Sequence, residues 1–328
     1  MTDRPAVRFA TAVAIAACSL IVAIGASAQE YPNKPVRLIV NTAAGGLMDV
    51  AARVAADQLG KTLGQRFVIE NRSGSGGNIG TDAVVKSAPD GYTLGLIQLG
   101  NVAINPYVYP DMPFDPFTDL VPIAPISSSP ILITANAKLP ADNLKELIDL
   151  AKREPGKLSY GSAGPGTAPH LAGEMFKSVA GIDILHVPYR GAGPAVNDMV
   201  GGHIQLTFGG LGAVRSAGDA GLAKVFAVSQ LKRLSAAPQF PTSAEAGLKG
   251  YEFVTWFGIV APKGTPEAIV TKLVQHIHAA QDDPQVQRAL SESGLEVLKE
   301  SPSQFQARMR SDHDRFRDVV KAANLKPE

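Results

Sequence analysis

Cysteine is all but missing from this chain. Cys18 is the single one in 328 residues, and it sits inside an N-terminal apolar run. A disulfide scaffold, a thiolate zinc site and a cysteine nucleophile are therefore excluded from the rest of the chain. An excess of one charge is also missing. Removing Arg4, Arg8 and Asp3 of the N-terminal segment from the 31 Lys+Arg and 30 Asp+Glu leaves no net charge. There is no block of like charges either, so nucleic acid and anionic membrane surfaces are excluded as main partners. Aromatic residues are few and Trp256 is the lone Trp. Phe253, Trp256 and Phe257 thus read as core packing and not as a stacking platform. The six histidines form no metal set. His276 and His278 are two apart on a helix and face different ways. His170 and Glu174 share a face but lack a third ligand, and read as a packing or capping His and a solvent-facing Glu. No metal or cofactor is expected.

What is present begins at the N-terminus. Arg4 and Arg8 precede an apolar stretch from Phe9 to Ile24, followed by Ala26-Ser27-Ala28. That order is a secretory signal, 1–28, and places the mature protein in the periplasm. The stretch is short for a membrane span, which needs ~20 residues. Ile15-Ala16-Ala17-Cys18 also resembles a lipoprotein box, but the apolar run continues past Cys18, where such a box should end.

Beyond this segment, short β-branched runs alternate with Gly-rich turns and Ala-rich helical stretches. Strands are expected at Val36–Val40, Arg66–Glu70, Tyr92–Ile97, Lys157–Tyr160, Ile184–Val187, Gln205–Phe208 and Phe253–Val260. Helices are expected at Asp49–Leu63, Thr81–Ser87, Leu144–Arg153, His170–Ala180 and Ala195–Val200, and through most of Pro266–Leu325. The alternation predicts α/β layers with largely parallel strands. The proline-rich stretch 106–130 cannot be a long helix and suits an extended passage between domains. Two domains follow: 29–130 with 253–328, and 131–252.

Glycine clusters invite enzyme readings that fail on spacing. Gly74-Ser75-Gly76-Gly77-Asn78-Ile79-Gly80 follows a strand, but Ile79 stands where a dinucleotide fingerprint needs Gly. Gly156-Lys157 lacks the loop and the hydroxyl residue of a P-loop. Gly161-Ser162-Ala163-Gly164 is not a nucleophile elbow. Three turns remain that each precede a helix: Asn41–Gly46, Gly161–Thr167 and Pro188–Gly193. A helix start carries free N–H groups and partial positive charge, and glycine lets a ligand approach that backbone. Such turns hold anions without Lys or Arg. Offered by two domains, they suggest a small anion gripped from both sides.

Many ordered segments resemble one family. They include Tyr31-Pro32-Asn33-Lys34-Pro35-Val36, Ala44-Gly45-Gly46 with Asp49, Glu70-Asn71-Arg72, Gly74–Gly80 and Pro89-Asp90-Gly91-Tyr92. They continue with Tyr160–Gly164, His170–Glu174, His186–Gly191, Glu245-Ala246-Gly247 and Trp256-Phe257-Gly258. The chain is similar to the substrate-binding proteins of tripartite tricarboxylate transporters, called the Bug receptors in Bordetella. The resemblance implies a periplasmic-binding-protein-like (type II) fold. Two α/β domains would be joined by a two-segment hinge near Ile123–Thr134 and Phe253–Pro262, with the ligand in the interdomain cleft. It implies a non-catalytic monomer that binds a small organic carboxylate. The partner would be a transporter with one small and one large membrane subunit, or else a sensor kinase.

By motif position, Ala44 and Gly45, with Asn101 nearby, would hold the ligand from the first domain. Ser162, Thr167, Ala168, Gly191 and Ala192 would hold it from the second. Asp49 either faces the site or pairs with Arg53 in the first turn of its helix. The turn Gly209-Gly210-Leu211-Gly212 departs from the family pattern, which often has Asp or Asn there. That departure points to a bulkier, less polar acid.

Overall fold

The computed structural model describes residues 31–164, 167–189 and 191–322. The expected export segment 1–28 with Cys18 lies outside these residues, as do Pro165 and Gly166 of one Gly-rich turn and Arg190 of another.

Domain one opens with β1 (Val36–Val40), whose side chains are buried except Arg37. Helix α1 (Leu47–Leu63) follows and buries Met48, Ala51, Ala52, Ala55, Ala56 and Leu59, the three-and-four spacing of an amphipathic helix. It stops at Gly64, which is left-handed at φ 68°. Then come β2 (Phe67–Asn71), α2 (Asn78–Val85), β3 (Thr93–Gln98) and two short helices, α3 (Leu99–Ala103) and α4 (Asn105–Val108). The long strand β4 (Leu120–Pro130) leads out of the domain.

Domain two holds β5 (Leu132–Asn136), α5 (Leu144–Arg153), β6 (Ser159–Ser162), α6 (Ala168–Ala180) and β7 (Leu185–Pro188). It continues with α7 (Ala192–Gly201), β8 (Leu206–Gly209), α8 (Leu211–Asp219) and β9 (Ala223–Val228). The chain returns through β10 (Val254–Pro262) and finishes domain one with α9 (Glu267–Asp282), α10 (Pro284–Glu292), β11 (Glu296–Val297) and α11 (Pro302–Ala322). No helix among the described residues is long and apolar enough to cross a membrane.

The strands form two sheets, ordered β11-β4-β10-β3-β1-β2 and β7-β6-β8-β5-β9. Both are mixed, which corrects the expectation of largely parallel strands. β1, β2 and β3 are parallel, as are β6, β7 and β8, but β4, β10 and β11 run antiparallel, as does β5 to β8 and β9. The proline-rich stretch forms no long helix. It holds most of α4 and then β4, an extended strand that leads out of the domain and is also an interior strand of the first sheet. Proline cannot donate to a ladder, and Pro122 and Pro125 pair with Val260 and Gly258 beside the two register shifts between β4 and β10.

β4 and β10 pair along their length, so the two domain crossings lie side by side. Ser229 ties them together. Its backbone N–H donates to the Ile131 carbonyl and its carbonyl accepts from the Phe253 N–H. Its hydroxyl donates to the Phe253 carbonyl at 2.6 Å and accepts from the Ile131 N–H at 2.9 Å. Helix α11 lies over the returning strand. The Trp256 indole donates to Asp312 at 2.9 Å, and Gly258 is glycine because a Cβ there would stand 2.2 Å from the Phe305 ring. Phe253, Trp256 and Phe257 are buried, as expected of core residues. A further tie crosses between the sheets at Glu296 on β11, which accepts from Ser235 N–H at 2.9 Å and Gln230 Nε2 at 3.1 Å.

Candidate functional site

Because β1, β2 and β3 are parallel, the turns after them meet at one edge of the first sheet. The turns after β6, β7 and β8 do the same on the second. Between the two domains lies a cavity of about 680 Å³. Asn41, Thr42 and Ala43 follow β1 into its wall, Ser73–Gly77 follow β2, and Gln98, Leu99 and Gly100 follow β3. Ile104, Asn105, Val108 and Tyr109 add a mostly apolar side. Thr167, Ala168 and Pro169, at the start of α6, close it from domain two, and Thr255 reaches it from the returning strand β10. None of these wall residues is charged.

The turn before α2 has an unusual backbone. Gly74, Ser75, Gly76 and Gly77 have φ of 127°, 48°, 62° and 91° in succession. Three are glycines, as left-handed backbone requires, and Ser75 is the one non-glycine with positive φ among the described residues. Gly77 N–H donates to the Gly74 carbonyl and Asn78 N–H to the Ser75 carbonyl. The N–H groups of Ser75 and Gly76 make no hydrogen bond within the described protein. Consecutive N–H groups in such a concave turn favour an anion.

Thr167 and Ala168, expected from the sequence, line the cavity. Asn101 lies behind the wall, fully buried. It accepts from Asn41 Nδ2 at 2.7 Å and from Gln98 N–H at 3.1 Å, and donates to the Gly76 carbonyl at 3.1 Å.

Ala44, Gly45 and Asp49 are not among the wall residues. Asp49 is buried and its carboxylate is fully engaged. It accepts from Gly45 N–H at 3.0 Å, Arg53 Nε at 2.9 Å and Asn71 Nδ2 at 3.0 Å. Burial alone would raise this carboxyl, but the bonds from Arg53, Gly45 and Asn71 outweigh it and hold it below the ordinary carboxylate range. Of the two roles open from the sequence, the structure displays the pairing with Arg53.

Ser162 is also outside the wall. Its hydroxyl lies 2.7 Å from His186 Nε2 and accepts from Gly164 N–H at 3.1 Å, fixing the turn whose Gly164 carbonyl accepts from the Thr167 hydroxyl at 2.7 Å. Burial and the His170 ring, stacked 3.9 Å away, push His186 down to about 4. Gly191 donates its N–H to the Ala163 carbonyl, and Ala192 begins α7; neither lines the cavity.

Two expectations are corrected here. Glu174 is not solvent-facing: the Tyr160 hydroxyl, on the strand beneath, donates to it at 2.7 Å. The Gly209-Gly210 turn adds no space to the cavity wall, because Gly210 packs against Ser129 and Leu47, and a Cβ there would meet the Ser129 hydroxyl at 3.0 Å. Wall residues not anticipated include the Gly74–Gly77 turn, Gln98, Asn105, Tyr109 and Thr255. The turn was legible. It stands between a strand and a helix like the three singled out, but failing as a dinucleotide fingerprint does not bar it from holding a simpler anion.

Two α/β domains joined by paired crossing strands, with a polar cleft between them whose described wall residues carry no charge, define a periplasmic-binding-protein-like solute receptor. The chain belongs to the tripartite tricarboxylate transporter receptor family, whose model matches residues 51–325. Proteins of this family are solute-binding receptors and not enzymes. The protein BugT of Bordetella pertussis is 35% identical over 306 residues, covering 93% of this chain and 94% of BugT. An R. palustris protein, Rpa4515, solved with adipate, superimposes with a TM-score of 0.79 at 37% identity, covering 91% of this chain and all of the other. MatC from Rhodopseudomonas palustris with bound malate gives 0.74 at 30% identity, covering 88% of this chain and all of the other.

Proposed function

We propose that this receptor captures a small organic carboxylate with an apolar body in the interdomain cleft and presents it to a transporter of one small and one large membrane subunit. Residues 1–28 would export it to the periplasm. The observation that carries the reading is the pair of N–H groups at Ser75 and Gly76 that make no hydrogen bond among the described residues, in a wall whose described residues are uncharged, opposite the start of α6. Backbone donors and a helix start stabilise a carboxylate without a cationic side chain. Relatives of the same fold were solved with adipate and malate, both carboxylates.

In this reading Thr167 and Ala168 touch the ligand from the second domain, 131–252. Ala44, Gly45, Gly191 and Ala192 approach it as the domains close, while Asn101 and Ser162 act from behind. Each domain supplies part of the donor set, so the closed form alone satisfies the anion fully. Leu99, Ile104, Val108 and Tyr109 offer apolar surface for the body of the acid. No carboxylate lines the wall among the described residues, so the ammonium of an amino acid would be desolvated there without a partner. Thermal-shift assays with adipate, malate, benzoate, aspartate and glutamate test this, together with native mass spectrometry for a co-purified acid. Stabilisation by adipate or benzoate and none by the amino acids is expected. Tight binding of glutamate or aspartate, with no response to any aliphatic or aromatic acid, would overturn the proposed selectivity.

A further inference from the structure

The Gly74–Gly77 turn needs an external brace. Ser75, a non-glycine at φ 48° among glycines that take positive φ freely, is the strained position, and it persists only where surrounding contacts over-determine it. The Gly76 carbonyl accepts from two side-chain amides, Asn101 Nδ2 at 3.1 Å and Asn105 Nδ2 at 3.0 Å. The next carbonyl, Gly77, accepts from the Thr81 hydroxyl at 3.0 Å. Asn105 Nδ2 also donates to Asn78 Oδ1 at 2.6 Å. Fit adds to bonding: a Cβ on Gly76 would stand 3.0 Å from Asn105 Oδ1, and one on Gly77 would stand 2.9 Å from the Asn41 amide.

The direction of these amides is dictated and not arbitrary. Gln98 N–H, at the end of β3, can be satisfied only by the oxygen of Asn101. That leaves the Asn101 nitrogen facing Gly76. Asn41 must then turn its own nitrogen to Asn101 Oδ1, at 2.7 Å, and it donates to Thr81 Oγ1 as well. The cost is visible at Asn41 Oδ1, which is buried with no partner. The chain of amides transmits the position of β3 to the turn after β2.

We propose that Asn101 and Asn105 are positioning residues: their amides clamp the Gly76 carbonyl and hold the turn with the Ser75 and Gly76 N–H groups presented to the cleft. The use of those groups for an anion rests on the function proposed above; the clamp itself does not. The reporters are the bonded amides of Gly77 and Asn78, read by NMR hydrogen exchange on the full chain without added ligand.

Asn101→Asp keeps an oxygen for Gln98 N–H but sets a carboxylate oxygen against the Gly76 carbonyl. Exchange at Gly77 and Asn78 should rise tenfold or more, while Lys86 N–H at the end of α2 stays within twofold of wild type. Asn105→Asp, which leaves the Asn101 bond, should give about threefold at the same two amides, and it carries the test if Asn101→Asp does not fold. Unchanged exchange at Gly77 and Asn78, or equal acceleration at Lys86, would overturn the clamp. Calorimetry with adipate separates the two readings. If wild type takes adipate, the folded Asn101→Asp protein should bind it at least tenfold more weakly, and unaltered affinity would count against positioning. If wild type takes no carboxylate, the functional reading falls and the exchange result still decides the clamp.

Discussion

Replacing Asp49 by Ala should destabilise the receptor by about 2–3 kcal/mol, through the loop it anchors. Its carboxylate is 5% exposed and its partner Arg53 is 57% exposed. The Arg53 pair alone is a solvent-screened helix pair and contributes the smaller part. The larger part comes from Gly45 N–H and Asn71 Nδ2, which donate to the same carboxylate at 3.0 Å each. Hydrogen bonds to a charged group contribute about 1.5–3 kcal/mol. Two features hold the sum toward the low end. Asn71 keeps the Thr42 carbonyl at 3.1 Å as a second acceptor, and water reaches Gly45. Ala is also a better helix former than Asp by roughly 0.5 kcal/mol.

Urea unfolding at neutral pH reads the effect as a lower midpoint with an unchanged slope. The pH dependence gives a second check. Because the Asp49 carboxyl is held below its ordinary value of 3.8, its contribution is full above that value and is lost as pH falls through the lower folded value. The gap between wild type and Asp49→Ala should therefore be flat from neutral pH down to mild acidity and close in strong acid. A difference below about 0.5 kcal/mol would refute the reasoning. So would loss of ligand binding at unchanged stability, which would move Asp49 into the site itself.

Other outcomes follow from the second domain. His186 is held at about 4 against an ordinary 6.5, so between those values the unfolded chain takes a proton that the folded one refuses. Stability should fall as pH drops through that window, and His186→Gln should flatten that part of the profile in urea titrations; an unaltered slope would show that another group titrates there. Gly173→Ala should destabilise by about 3 kcal/mol, since the new Cβ would stand 2.2 Å from the Tyr160 ring. Melting temperatures within a degree of wild type would show that helix α6 can shift off β6 at little cost.

Much of the architecture was legible because it rests on local periodicity. The apolar run Val36–Val40 and the spacing of Met48, Ala52, Ala55 and Leu59 mark β1 and α1 directly. What failed was non-local. Leu132–Asn136 is a strand buried on both faces, and Ala223–Val228 passes from a half-buried start to a fully buried end. Neither shows the alternation that marks a half-buried strand, and both went unread. The prolines of β4 argue against a strand locally, yet its irregular pairing with β10 accommodates them. The helix expected at Thr81–Ser87 starts earlier, at Asn78; the glycines before it hid its first turn.

At the candidate site, the sequence singled out Gly-rich turns ahead of helices, and the structure places Thr167 and Ala168 from one of them in the cavity wall. It could not show that Asn101 and Ser162 spend their polar atoms on neighbouring turns. Those bonds join Gln98 to Gly76 and His186 to Gly164, through contacts fixed only when the sheets assemble.

Calorimetry with matched pairs, an organic acid and its primary amide of the same carbon skeleton, tests the central claim most directly. With adipate and adipamide, and with benzoate and benzamide, binding of at least one acid and a loss of 100-fold or more for its amide are expected, because the cleft is read as a set of backbone donors awaiting an anion. An amide that binds as tightly as its acid would contradict the account, since the site would then recognise the body of the ligand and not its carboxylate.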